Sequence, residues 1–204
     1  MSKKQTAVLL GGGGVTGIAW EIGVLVGLVE GGFDVARDTD VVIGTSAGAF
    51  AGFAAVSGQL DQRYREQFED ASAEVPAAMS DHVRESYGRV MSENRGDPTA
   101  VGRGFGTVAK EATTIDPAER AAVVRARLGQ SDWPEADFRV TAIDADTGEL
   151  VLLDRTSGLS LEEAACATGA VPGVWPMVTA GGRNWIHGGM VSGVDAQFAH
   201  RFCT

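Results

Sequence analysis

The 204-residue sequence predicts an α/β fold, a mostly parallel central sheet flanked by helices in three layers. Three observations predict it. A short β-branched run, a glycine loop and an amphipathic helix follow one another from residue 6. A second apolar run, a tight turn and a small-residue helix follow from residue 40. A hairpin, a capped helix and a final strand come after a charged helical stretch. Strand, loop, helix, strand, turn, helix is the order produced when parallel strands are joined by crossover helices. Chemistry in such sheets gathers at the carboxyl ends of the strands.

The elements can be taken in chain order. "TAVLL" (6–10) is an uninterrupted apolar run, as expected of a strand buried on both faces, and glycines stop it at once. From Gly17 to Glu30 the apolar residues Ile18, Ile22, Leu25, Val26 and Val29 recur at helical spacing, and Gly31-Gly32 ends the helix. "DVVIG" (40–44) is the second strand, leading into "TSAGAFAGFAAVSG", a helix small enough to press against a sheet, closed by Gly58. Residues 59–128 form a charged, helical, glycine-interrupted cover. Within it "NRGDPTAVGRGFG" (94–106) is expected to be irregular and mobile, because glycines and proline break regular elements. Asp116, Pro117, Glu119 and Gly129 mark the start and stop of a helix over 116–128. "FRVTAID" (138–144) and "ELVLLD" (149–154), joined through Asp146-Thr147-Gly148, read as a hairpin. Ser160 and Glu163 cap one more helix, and a strand near 183–186 delivers His187. No internal repeat and no linker divides residues 1–204, so a single domain is expected.

Composition removes several function classes. A formal charge of −10 argues against nucleic acid and against electrostatic docking on anionic lipid, so any membrane-surface contact is expected to be apolar. Cys166 and Cys203 lie in unrelated contexts without metal-like spacing, which favours a reduced intracellular protein and no metal. The N-terminal apolar run is too short for a signal peptide or a span, and a soluble cytoplasmic protein is expected.

"GTSAG" (44–48) fits G-x-S-x-G and lies between an apolar strand and a helix, the setting of a nucleophile elbow. Gly44 and Gly48 leave room for a sharp bend that holds Ser46 Oγ clear of the backbone. The helix N-terminus favours developing negative charge there. The alternative is a serine that simply caps the helix. "GGGGVTG" (11–17) exposes backbone N–H groups after the first strand. One ligand for them is an oxyanion formed when Ser46 attacks a carbonyl, with Gly12, Gly13 and Gly14 as the donor loop. A dinucleotide is the other, since Gly12, Gly14 and Gly17 satisfy G-x-G-x-x-G, but the second strand ends "VVIGTS" where that fold needs an acidic residue for ribose. A P-loop is excluded, as no Gly-Lys-Ser/Thr follows the glycines.

"LGGGGVTGIAWEIGVL", "GTSAGA" and "AVPGVWP…GRNWIHGG", in this order, resemble the patatin-like phospholipase family of lipid acyl hydrolases over residues 6 to about 199. The resemblance implies a Ser-Asp dyad without metal or organic cofactor, an acyl-enzyme intermediate, and a lipid or small-ester substrate. Mapped onto this sequence it implies Ser46 as nucleophile, the Gly12–Gly14 loop as oxyanion donor, and as base the residue before Gly188-Gly189. That residue is His187, where the family carries Asp. Thr16 stands where many members carry a basic residue, Asp195 where an Asn commonly follows, and the chain stops at "HRFCT", earlier than the resemblance leads one to expect.

Three outcomes are open for residue 187. Neutral imidazole has an ordinary pKa of about 6.5 and is the better base by proton affinity, but it is bulkier than carboxylate and normally needs a carboxylate on its other nitrogen. A Ser46-His187 dyad of reduced activity is therefore expected, against an inactive lipid- or partner-binding shell, or rescue by another carboxylate. Asp144, Asp154 and Asp195 are the candidate orienting groups. His82 and His200 are expected on the surface and Cys166 within a helix. Trp20, Phe50 and Trp175 are expected in the core more than against an acyl chain.

Overall fold

In a computed structural model that describes residues 5–69, 78–129 and 132–202, six strands form one sheet. These are β1 (Ala7–Leu10), β2 (Val41–Gly44), β3 (Phe138–Asp144), β4 (Leu150–Leu153), β5 (Val178–Ala180) and β6 (Arg183–His187). The order is β1-β2-β3-β6-β5, with β4 paired to β3 off that path. β1, β2 and β3 are parallel, β4 and β6 run against β3, and β5 runs against β6, so most strands point one way. The helices are α1 (Gly14–Glu30), α2 (Val35–Asp38), α3 (Ala47–Val56), α4 (Leu60–Glu66), α5 (Asp81–Glu93), α6 (Pro98–Glu111), α7 (Pro117–Leu128) and α8 (Leu161–Thr168).

Alternation along the strands sends side chains to two separate cores. Val42, Val140, Ala142 and Trp185 face the layer that contains α3, α7 and α8, where Phe53, Val124 and Leu161 pack on them. Ile143 and Ile186 face α6, against Val101 and Phe105. Val41 and Ile43 meet Phe198 on that second face. Helices on both faces of the sheet make the three layers expected from the sequence.

Register positions the functional residues. Ala7 pairs with Val41 and Leu10 with Gly44, so the loops that follow β1 and β2 leave the sheet side by side. Gly44 pairs with Val140 on β3, and two residues further along that strand Ala142 pairs with His187. The two glycine motifs and the histidine, far apart in sequence, thus converge at one end of the sheet.

The capped elements form as the sequence predicts. Asp116 accepts from the Ala118 N–H at 2.7 Å, Pro117 opens α7, and Gly129 takes a left-handed φ of 70° after it. Ser160 and Glu163 form a reciprocal capping box on α8. β3 and β4 pair as the expected hairpin.

Four expectations are corrected. β1 is half-buried rather than buried on both faces, because it is the edge strand. The segment 94–106 is not irregular: α6 runs from Pro98 to Glu111, capped by Asp97, which accepts from Ala100 N–H at 2.9 Å. Its glycines are contact points. A Cβ on Gly106 would lie 2.0 Å from the Ala145 carbonyl oxygen and one on Gly102 2.4 Å from that of Gly148, so α6 approaches the β3–β4 turn as only glycine permits. β5 is an additional short strand, joined to β6 through Gly181 and Gly182, both with positive φ. Trp20 is 69 % exposed on the outer side of α1 rather than in the core. Cys203 lies outside the described residues.

Candidate active site

Ser46 occupies the bend between β2 and α3 with φ 53° and ψ −111°, one of two described non-glycine residues with positive φ. Such a conformation costs of order 1–3 kcal/mol and persists only when its surroundings enforce it. Here they do. Thr45 N–H donates to the Leu10 carbonyl and Gly48 N–H to that of Gly11, each at 2.9 Å, stitching the bend to the glycine loop. Ser46 N–H donates to Thr168 Oγ1 at 2.9 Å, tying it to the end of α8. Close packing completes the enforcement: a Cβ on Gly48 would lie 2.3 Å from the Leu10 carbonyl oxygen, and one on Gly44 2.5 Å from Ala49 Cα. Although Ser46 stands at the N-cap position, its side chain makes no capping hydrogen bond. The hydroxyl is left for something other than the helix.

The glycine loop faces Ser46 directly. A Cβ on Gly12 would sit 3.7 Å from Ser46 Cβ, 3.7 Å from His187 Cε1 and 3.9 Å from Nε2, so Gly12 keeps the space between serine and imidazole open. Gly12 N–H is taken by the Gly193 carbonyl at 3.2 Å. Among the described residues no acceptor faces the N–H groups of Gly13, Gly14 or Ala47. Gly14 and Ala47 are the first residues of α1 and α3, so two helix N-termini open toward the same space.

His187 ends β6, its N–H anchored on the Ala170 carbonyl at 3.0 Å. The ring is held by the turn that follows: Gly189 N–H donates to Nδ1 at 2.7 Å. That bond puts the neutral ring's proton on Nε2. Burial pushes the imidazole pKa down to about 4, so the neutral form prevails at pH 7. Glycine is required on both sides of the turn, since a Cβ on Gly188 would lie 2.1 Å from Thr141 Oγ1 and one on Gly189 2.4 Å from His187 Cε1. Among the described residues no hydrogen bond joins His187 to Ser46.

None of the three candidate carboxylates touches His187. Asp144 is bonded to Arg183 and to the backbone N–H groups of Asp146 and Thr147. Asp154 closes its own turn with Thr156 and Ser157. Asp195 is fully buried beneath the bend, where Thr45 Oγ1 donates to it at 3.0 Å and Thr45 meets Thr141 at 2.8 Å. Burial raises its carboxyl pKa. His82 and His200 are exposed, as expected. Burial raises the Cys166 thiol pKa to about 11, which removes it as a nucleophile.

Ser46 and His187 line a cavity of about 520 Å³ together with Phe50 and Trp175. Two of its residues escaped sequence reasoning, Arg120 and Arg127, two turns apart on one face of α7. Each looks like an ordinary surface charge in sequence. The signal that could have found them is their alignment with Val123 along a single helix face. Arg120 is buried with Cζ 4.2 Å above the Trp175 ring, and Arg127 Cζ lies 5.4 Å from the Phe50 ring centre. The described residues contain no group of acidic, histidine or cysteine side chains able to hold a metal, and no described helix is long and apolar enough to cross a membrane.

No curated protein is a significant match to this chain. The model of one family, Patatin-like phospholipase, matches residues 8–200, nearly the whole sequence and every residue of the cavity. With its flanked sheet and its strained serine between two glycine motifs, the chain belongs to the patatin-like phospholipase family of lipid acyl hydrolases.

Proposed function

We propose that the protein is a serine-dependent carboxylester hydrolase of acyl lipids or small esters, with Ser46 as nucleophile and a rate limited by His187. The observation that carries the reading is the strained bend at Ser46, whose hydroxyl caps no helix and faces unengaged N–H groups. Ser46 Oγ attacks the ester carbonyl, the alcohol leaves, and water releases the acyl group from the serine. Gly13, Gly14 and Ala47 N–H groups take the negative charge on the carbonyl oxygen; each such donor is worth about 3 kcal/mol in comparable enzymes. Gly12 contributes the opening between serine and ring.

His187 is the weak member. With Nδ1 accepting from Gly189 and Nε2 protonated, neither nitrogen accepts the Ser46 proton in this arrangement. Taking it requires the ring's own proton to move to Nδ1, which gives up the Gly189 bond and sets two N–H groups against each other. The same observation favours a second reading, a lipid-binding member of the family that does not turn over. Hydrolysis of a short p-nitrophenyl ester beside Ser46→Ala tests the proposal. Turnover that vanishes with the serine supports the hydrolase; equal background rates in both proteins, without fluorophosphonate labelling of Ser46, overturn it.

A further inference from the structure

α1 leaves an apolar side exposed. Val15, Trp20, Val24, Leu28 and Val29, more than half of the exposed large hydrophobic residues among those described, lie on this one helix. Its buried residues are Ile18, Glu21, Ile22 and Leu25, so at 3.6 residues per turn Trp20, Val24 and Leu28 point away from the core as one row, about a turn apart. The only charged residues of α1 are Glu21, which is buried, and Glu30 at its last position. The exposed side is therefore free of charge from Gly14 to Val29, in a chain of net charge −10. Contiguous apolar surface of this kind marks a place of contact.

The relief of that side narrows what the contact is. Beside the row of Trp20, Val24 and Leu28 runs a second row with the same spacing, Ala19, Gly23 and Gly27. A Cβ on Gly23 or on Gly27 would meet no atom within 4 Å, so the second row is an open furrow. A ridge of large side chains next to a furrow of small ones fits a copy of itself: about a two-fold axis, the ridge of each helix lies in the furrow of the other. Rows of this spacing pack ridge into groove at a crossing angle of about −50°. The 17 residues of α1 span about 25 Å. One side of such a helix offers on the order of 500 Å², so a pair buries about 1,000 Å², the lower limit of a specific interface. A lipid surface would accept the ridge equally well but gains nothing from the furrow.

We infer that α1 is a dimerisation surface, on which a second copy of this chain packs its own α1 through the Trp20-Val24-Leu28 ridge and the Gly23-Gly27 furrow. The inference is independent of the reaction assigned to Ser46.

The test is sedimentation equilibrium of the full chain across the micromolar range, beside Trp20→Ala and Gly27→Leu. The unchanged protein is expected to pass from monomer to dimer, and each variant to raise the dissociation constant by at least about ten-fold. Gly27→Leu decides the matter. It fills the furrow with a Cβ that meets no described atom, and leucine is the better helix former, so the urea midpoint of the monomer is expected to hold or rise while the dimer is lost. Flotation with phosphatidylcholine vesicles separates a lipid surface from a second copy, because the same substitution enlarges the apolar side and would strengthen binding to lipid. A protein that stays monomeric throughout, or a dimer that survives Gly27→Leu, overturns the inference. Monomers that float with the vesicles, and do so more strongly as Gly27→Leu, overturn it in favour of a lipid surface.

Discussion

At residue 187 a single hydrogen bond decides which ring nitrogen carries the proton. Gly189 N–H fixes the imidazole with its proton on Nε2, whereas a carboxylate there would carry no proton at pH 7 and could accept from Gly189 and Ser46 together. His187→Asp is therefore expected to raise kcat/KM for a p-nitrophenyl ester by about 10²-fold or more, the usual worth of a positioned base. An unchanged rate would show that residue 187 is not limiting. A second buried group gives a pH signature. Glu21 on α1 is buried, one carboxyl oxygen has no partner, and the backbone of Gly11 donates to the carboxyl. Burial raises its pKa from 4.5 to about 7. The folded state thus keeps a proton that the unfolded chain releases, so this contribution is fully present below the unfolded pKa and is lost as pH rises through about 7. Glu21→Gln is expected to stabilise by about 1–3 kcal/mol at pH 8 and much less at pH 5, read from urea midpoints at both values. The bend at Ser46 was legible in sequence because glycines two residues either side of a serine, between an apolar strand and a helix, mark a sharp turn. The ring orientation of His187 was not, since it depends on a turn geometry that the letters His-Gly-Gly do not specify.

Elements with local signals were read correctly. The caps of α7 and α8 and the β3–β4 hairpin are written within a few residues of each other, and each formed as expected. α6 was misread because glycine has two meanings: it breaks an isolated helix, but it also lets a packed one come close. Gly102 and Gly106 serve the second purpose against the β3–β4 turn, and that turn lies some forty residues later in the sequence. Gly106→Ala is expected to destabilise by about 1–3 kcal/mol through overpacking, although alanine is the better helix former. A rise in the urea midpoint instead would mean that α6 does not press on the turn. The arginines of α7 escaped notice because helix periodicity identifies a buried face without telling which side chains at its margin line a cavity.

For the whole molecule, the charge of −10 surrounds a cavity lined by two arginines. Lipid offered in zwitterionic vesicles is expected to be hydrolysed faster than the same lipid in anionic vesicles, since the body of the protein is repelled by the latter. The difference should shrink between about 10 mM and 150 mM salt, as the screening length falls from about 30 Å to 8 Å. A preference for anionic vesicles that strengthens at low salt would contradict it. The fold class was legible because the order of strands and helices admits few topologies, while the position of β5 and the edge role of β1 follow only from how the sheet closes. The pairing of Leu10 with Gly44 has one more consequence. It makes the glycine loop and the Ser46 bend products of the first strand pair, whereas the imidazole arrives on β6, across the sheet and long after both in synthesis. A nascent chain therefore makes its serine bend and glycine loop before the ring that comes to lie beside them.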